Sequence, residues 1–440
     1  MQQTLRLGAL ALACAALALP PAVQADDREV EHGQRLHGRD GGTAIQLGPR
    51  PFYLVDGLDD GPLKRALQQC RHGSTRRTDF SIGHRGAALQ FPEHTQESYT
   101  AAARLGAGIV ECDVTFTREG EFVCRHAQND LHTTTNILQT ALAATCLRPF
   151  VPAVLDGNGK VVTPASAECR TSELTLDQFR SLRGKMDAFN PAARTVDEFV
   201  GGTAPWRTDL YTGRGTLMTL RESIALNERL GVKHTPELKA GDAASIAAVF
   251  GSQQNYALKF ADELRRAGVR PRDAWPQSFN VEDVLAWIDH TPYGRQAVYL
   301  LDYNAADPVN DIVIQSPYNQ MDRAEYFRML KQRGVRIVAP PIPALLAVDA
   351  NGRIVPSALA KQLRAWGFDI ITWTLERSDL RAGASRAGFY YDFDAAGRAI
   401  RKDSDQYLAV DVLAREVGVL GIFSDWPATV SYYASCMGMR

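Results

Sequence analysis

From residue 79 onward, short apolar or β-branched runs recur along the chain. They are DFSIGH (79–84), AGIVECDVTF (107–116), EFVCRH (121–126), VKHTPELK (232–239), WPQSFN (275–280), QAVYLLD (296–302), VRIVAPP (335–341), DIITWTL (369–375) and GVLGIFSD (418–425). Between most of them lie segments with apolar positions at helical spacing, among them QESYTAAARLG, LRESIALNERLG, VEDVLAWIDH, RAEYFRMLKQRG and PSALAKQLRAWG. Several of these end in Gly, which stops a helix by adopting a left-handed conformation. Strand and helix alternating this often predict a parallel sheet covered by helices. At this length a closed (β/α)8 TIM barrel is the expected α/β fold. A doubly wound open sheet is the alternative, but no Gly-rich dinucleotide fingerprint accompanies the first strand.

Nine runs exceed eight strands, and the excess has a local explanation. The link between VECDV and EFVCRH is too short for a crossover helix, which needs about a dozen residues. It predicts a β-hairpin turning near Arg118-Glu119-Gly120, with EFVCRH antiparallel at the barrel rim. A turn centred between 118 and 119 sets His126 opposite Glu111. Residues 127–218 show no βα unit but are rich in Thr, Pro and Gly, and are expected to form an inserted subdomain at the rim with little core of its own. Upstream, PFYLVDGL (51–58) reads as a short strand and GPLKRALQQC (61–70) as a helix. The expected division is residues 1–25 as a leader, 26–79 as an N-terminal extension packing on the barrel, 80–430 as the barrel, and 431–440 as a C-terminal tail.

The leader changes how the rest is read. MQQTLRLGALALACAALALPPAVQA has one Arg, an apolar run from Leu7 to Leu19, and small residues before a cut after Ala25, the pattern of a secretory signal peptide. The run is short for a bilayer span, and no stable membrane anchor is expected. The protein is therefore expected to be exported, to a periplasm or outside the cell. There, the six remaining cysteines (Cys70, Cys112, Cys124, Cys146, Cys169, Cys436) favour disulfides. Cys146 with Cys169 is the pair expected inside the insertion, and Cys70 with Cys436 a second possibility. None has zinc-ligand spacing. The remaining 45% hydrophobic and 22% charged composition is that of a globular chain, and a net charge of -1 argues against a nucleic-acid partner.

Chemistry gathers at the strand ends, where barrels of this kind carry their active sites. Glu111 and Asp113 are two apart on one strand and share a face; Glu237 and Lys239 do the same on another. His84 and Arg85 end the first strand in GHRG. The three carboxylates are hard oxygen donors suited to one divalent cation, Ca2+ or Mg2+. Arg85 and Lys239 offer contacts to an anion, Arg with a planar fork that matches phosphate. His84 and His126 titrate near neutrality and can act as general acid and base. Together these groups fit hydrolysis of a phosphate diester better than hydride or acyl transfer. Trp373 falls on the inward strand face, positioned to cover a substrate or to fill the barrel. Glu93 and His94 are either polar groups at a helix start or ligand contacts. Asp425 either supports the site or caps the next helix, and His132 is a polar group of the insertion.

In GHRG, PEHT, GAGIVECDVTFTREGEFVCRH, LHTTT, TPELK, PQSFN, ITWTL and GIFSDWP, in that order from about residue 80 to 430, the chain resembles the glycerophosphodiester phosphodiesterase family, in its exported branch. The resemblance implies a TIM barrel, a divalent metal, and cleavage of glycerophosphodiesters to sn-glycerol 3-phosphate and an alcohol; the long polar insertion at the rim, with no membrane anchor, adds the expectation of small, water-soluble ones. It matches His84 and His126 to catalytic histidines, Glu111, Asp113 and Glu237 to metal ligands, and Arg85 and Lys239 to phosphate contacts. One departure stands out: the family carries Asp directly after the second histidine, where this chain has Ala127, with Asp130 three residues on. Two other functions are compatible with the barrel. One is a lipid-directed phosphodiesterase of phospholipase C or D type; the other is a non-catalytic binding protein, which loss of a histidine or carboxylate would have signalled.

Overall fold

The computed structural model describes residues 44–208, 215–304 and 312–439. The expected leader (1–25) and the polar run that follows it lie outside the described residues, apart from the last few positions of that run.

All nine apolar runs form strands: β1 (Thr78–Gly83), β2 (Ala107–Phe116), β3 (Phe122–Cys124), β4 (Lys233–Leu238), β5 (Gln277–Ser278), β6 (Val298–Leu300), β7 (Ile337–Ala339), β8 (Asp369–Leu375) and β9 (Gly421–Ser424). Eight of them pair in the order β1-β9-β8-β7-β6-β5-β4-β2, and a parallel β1–β2 pairing closes the barrel. Alternation along β2 shows how the sequence divides between faces. Val110, Cys112 and Val114 join the apolar layer beneath the helices, while Ile109 joins an inner cluster with Ile82, Val298, Leu300, Ile337, Ile371 and Phe423. Glu111 and Asp113, in phase with Ile109, are thereby carried to the inner face of the upper rim. The helices form where apolar periodicity places them. Leu220–Leu230, for example, opens with a reciprocal cap between Thr219 and Glu222 and stops at Gly231 with φ of 67°.

β3 is the expected antiparallel excursion, but its register is one residue from the expected one. Val114 faces Cys124 and Phe116 faces Phe122, so the turn is centred on Glu119. Pairing stops at Cys124, and His126 is not directly opposite Glu111. A Gly120 with φ of 78° tightens the turn, its N–H donating to Thr117 O at 2.8 Å.

Three other expectations are corrected. PFYLVDGL belongs to a helix, Arg50–Gly57, with Pro51 in its first turn and Pro51, Leu54 and Val55 buried. That i, i+3, i+4 spacing outweighs its β-branched and aromatic content. Residues 431–440 are not a tail: helix Pro427–Cys436 runs through the boundary with Tyr432, Tyr433 and Ala434 buried, and Phe52 of the N-terminal helix packs edge-on to Tyr432. The insertion has an apolar core of its own, including Leu131, Ile137, Cys169, Leu174, Phe179, Leu182 and Phe199. Around it lie short helices and two antiparallel ribbons, Arg148–Val151 with Ser166–Glu168 and Val154–Leu155 with Val161–Thr163. Three disulfides close the chain: Cys70–Cys436, Cys146–Cys169 and Cys112–Cys124. The last lies behind β2 and ties it to β3.

Candidate active site

GHRG is a turn whose two glycines leave no room for a Cβ. A Cβ on Gly83 would come within 2.9 Å of Ala102 Cβ, and one on Gly86, whose φ is 93°, would collide with Ser98. The missing side chains let helix Gln96–Arg104 approach closely. Ser98 Oγ then accepts from Ala87 N at 2.9 Å and donates to Arg85 O at 3.0 Å. Between the two glycines Arg85 sits at φ 56°, a left-handed conformation costly for a residue with a Cβ. In return its N–H reaches Glu111 Oε2 at 2.9 Å, and its guanidinium reaches Glu93 at 2.8 Å and Asp113 at 3.3 Å.

Glu111, Asp113 and Glu237 converge. The parallel register sets Asp113 beside Glu237, and one oxygen of each carboxylate lies within 4.8 Å of the other two. All three are buried. Burial, then Asp113 and Glu237, push the Glu111 carboxyl well above its ordinary value. Burial raises Glu237 to about 7, against the pull of Lys239, which donates to it at 2.6 Å. Asp113 goes the other way: burial opposes ionisation, but Lys239, His94 and Arg85 hold it well below the carboxylate range. Three packed carboxylates of this kind are the environment a cation relieves. Asp113 Oδ1 is also buried, with no hydrogen-bond partner among the described residues. The hard oxygen set and that unpartnered atom fit a divalent ion of the Ca2+ or Mg2+ type.

The two histidines differ in their surroundings. His84 Nδ1 bonds Asp425 Oδ1 at 2.6 Å, leaving Nε2 3.8 Å from Glu111 Oε2. Burial lowers His84 to about 4, partly countered by Asp425. His126 is half-buried and its ring makes no hydrogen bond among the described residues. Burial, then Arg85 and Lys239, hold it well below 6.5. Asp130 does not replace the missing acid beside it: its carboxylate accepts from Ala127 N at 3.1 Å and from Thr134 Oγ1 at 3.3 Å.

These groups face one cavity of about 530 Å³. His84, Arg85, Glu111, His126, Glu237, Lys239 and Trp373 line it, and Asp113 stands behind with the carboxylate cluster. Trp373 packs edge-on to Phe279 and Tyr390 in its lining, and the insertion supplies Thr133, Asp187 and Phe189. Glu93 also lines the cavity, whereas His94 is fully buried and bonds Asp113 Oδ2 at 2.9 Å through Nε2 and Tyr99 through Nδ1.

A sequence model described as the Glycerophosphoryl diester phosphodiesterase family matches residues 84–429, most of the chain and all of these groups. The chain belongs to this family. Its members are glycerophosphodiester phosphodiesterases. A protein of Arthroderma benhamiae named "Extracellular protein" is 41% identical over 257 residues, 58% of this chain and 100% of its own. Glycerophosphodiester phosphodiesterase GDPD6 of Arabidopsis thaliana is 20% identical over 399 residues, covering 87% of this chain and 91% of its own. Among solved structures, a putative glycerophosphoryl diester phosphodiesterase of Silicibacter pomeroyi is 19% identical, with 84% of this chain and 95% of that one aligned at a TM-score of 0.49.

Several groups in or beside this phosphodiesterase cavity were not singled out by the sequence. Gln277 on β5 donates to Glu111 Oε1 at 2.8 Å and holds it toward the other carboxylates. PQSFN marks the position, but nothing local distinguishes Gln277 from a core amide. Arg377 lines the cavity and donates to Asp425 Oδ2 at 2.8 Å and Asp187 Oδ2 at 3.0 Å. Both lie in loops, and their pairing spans 190 residues.

Proposed function

We propose that this protein hydrolyses small, water-soluble glycerophosphodiesters to sn-glycerol 3-phosphate and an alcohol, with His84 and His126 as the acid/base pair. The observation that carries the reading is convergence: two imidazoles, two cations and a buried three-carboxylate cluster share one cavity of about 530 Å³. That volume suits a headgroup-sized diester, and the insertion encloses it on one side. Three disulfides and the likeness to a protein named extracellular support action outside the cytoplasm.

Glu111, Asp113 and Glu237 would hold the divalent ion, which when bound supplies Lewis-acid polarisation of the phosphoryl group. Arg85 and Lys239 neutralise the remaining phosphate charge, Arg85 fixed by Glu93 and Asp113 and Lys239 by Glu237. Neutral His84 keeps its proton on Nδ1, shared with Asp425, so the lone pair is on Nε2. His84 is therefore suited to take the nucleophile's proton. His126, whose ring makes no hydrogen bond among the described residues, is the proton donor to the departing alkoxide: the bound phosphodiester anion offsets Arg85 and Lys239, which otherwise hold His126 neutral, and so favours its protonated form. Acid–base help of this kind contributes roughly 10²- to 10⁴-fold. Trp373, Phe279 and Tyr390 pack against the carbon skeleton of the substrate. The test is turnover by purified protein on a panel of glycerophosphodiesters, lysophospholipids and intact diacyl lipids, with and without chelator. Faster turnover of the diacyl lipids than of glycerophosphocholine or glycerophosphoethanolamine contradicts it.

A further inference from the structure

The insertion reaches His84 through an unbroken run of charge-assisted bonds. His84 Nδ1 bonds Asp425 Oδ1 at 2.6 Å, and Asp425 Oδ2 accepts from Arg377 Nη1 at 2.8 Å. Arg377 Nη2 donates to Asp187 Oδ2 at 3.0 Å, and Asp187 Oδ1 accepts from Arg207 Nη2 at 2.6 Å. Arg207 also donates to the carbonyls of Asp187, at 3.0 Å, and Ala88. Ala88 is four residues past His84, so the run leaves the β1 loop, crosses the ends of β9 and β8 and the insertion, and returns to that loop. Side-chain exposure along it is low, 1% at Asp425, 18% at Arg377, 16% at Asp187 and 7% at Arg207. From Asp425 to Arg207 the charges alternate at every step. Lys185 fixes the insertion's end of the run, donating to the carbonyls of Thr133 at 2.8 Å and of Met186 and Ala188 at 2.7 Å.

We propose that Asp187 and Arg377 are positioning residues for His84, and that the insertion thereby completes the catalytic apparatus as well as covering it. The inference rests on the reading of His84 as an acid/base group. A carboxylate that meets an imidazole through one oxygen can still rotate. Arg377 occupies the other oxygen of Asp425 and fixes its plane, and with it the direction of His84 Nε2. Arg377 itself has two possible anchors: Asp187 at 3.0 Å, and Glu93, whose Oε2 lies 3.7 Å from the same Nη2. Asp187, doubly held by Arg207, decides that competition. Without it the guanidinium turns toward Glu93, and the Asp425 plane loses its setting.

The experiment is a double-mutant cycle on glycerophosphocholine with Asp187→Asn, Asp425→Asn and the pair, with Ca2+ and Mg2+ affinity measured by calorimetry on each. Arg148→Ala, an exposed change in the same insertion, is the control and retains wild-type kcat. The proposal expects Asp187→Asn to lower kcat about 10-fold or more, with KM within about twofold and metal affinity unchanged. It expects the pair to be no slower than Asp425→Asn alone, because both changes release the same imidazole. Arg377→Lys, which keeps the charge but not the fork, reads the same coupling with Asp425→Asn if Asp187→Asn does not fold. Unchanged kcat in Asp187→Asn, a loss confined to KM, or losses that multiply in the pair each overturn the proposal. An inactive His84→Ala beside a fully active Asp187→Asn overturns this inference alone; an active His84→Ala overturns the acid/base reading with it.

Discussion

His84 and Asp425 are 341 residues apart in the chain and 2.6 Å apart in the barrel, one at the end of β1 and the other just after β9. Closure of the barrel makes them neighbours, since β1 and β9 pair directly, with Gly83 beside Ser424. Asp425 is held below its ordinary value: its burial is outweighed by Arg377 and His84, so it remains an anion able to orient the imidazole.

Asp425→Asn keeps the shape but removes the charge and allows the amide to donate, favouring the wrong tautomer of His84. kcat is expected to fall about 10²-fold or more, within the range acid–base groups contribute. Metal affinity is expected to stay at the wild-type value, because Asp425 lies outside the carboxylate cluster. Steady-state kinetics and calorimetry on the same preparation check both halves.

Removing the Cys146–Cys169 bridge tests what holds the insertion. The bridge joins positions 23 residues apart, and in the chain-entropy model its loss costs about 3 kcal/mol. Cys146→Ala with Cys169→Ala is expected to lower the denaturation midpoint and to open the insertion to protease before the barrel. Equal protease resistance of the two proteins is the contrary result. Non-reducing peptide mapping reports all three bridges directly.

Much of this architecture was legible in the chain, and the parts that were not share a cause. Every strand of the barrel and its hairpin was visible because a buried strand must be apolar on its inner or outer face over several residues, as in AGIVECDVTF; the short exposed ribbons of the insertion carry no such signal. The helices followed from apolar spacing and terminal glycines. The hairpin was implied by the short link after Phe116, but its register depends on whether the turn centres on or before Glu119, a difference of half a residue that sequence does not weigh. PFYLVDGL misled because its residues favour strands while their spacing favours the observed helix. The insertion's core went unseen because its apolar members, from Leu131 to Phe199, are scattered without period and meet only in three dimensions. In the site, Glu111, Asp113, Glu237, His84 and His126 announced themselves by recurring near strand ends. Arg377 and Asp187 did not, because a single charge in a loop carries no local sign of a partner 190 residues away.

The insertion also predicts an acid sensitivity. His132 is half-buried against Phe199, its Nδ1 has no partner among the described residues, and burial lowers it to about 4. The sign follows from linkage: the unfolded state, titrating near 6.5, binds the proton first. The stabilising effect of neutral His132 is complete above about 6.5 and is lost as pH falls toward about 4. Thermal melts across that window are expected to show a steeper decline for the wild type than for His132→Gln. Parallel profiles would assign the acid loss to other groups.

The most direct test of the account separates its cation site from its acid/base pair. Ca2+ and Mg2+ affinity, by calorimetry, and turnover of glycerophosphocholine are measured on wild type, Glu237→Gln and His126→Ala. Glu237→Gln removes one of three clustered carboxylates and is expected to weaken metal affinity and turnover together. His126→Ala leaves the cluster intact and is expected to bind metal as the wild type does while turnover falls by about 10² or more. Near wild-type turnover in His126→Ala, or full activity of the wild type after metal is stripped, contradicts the account.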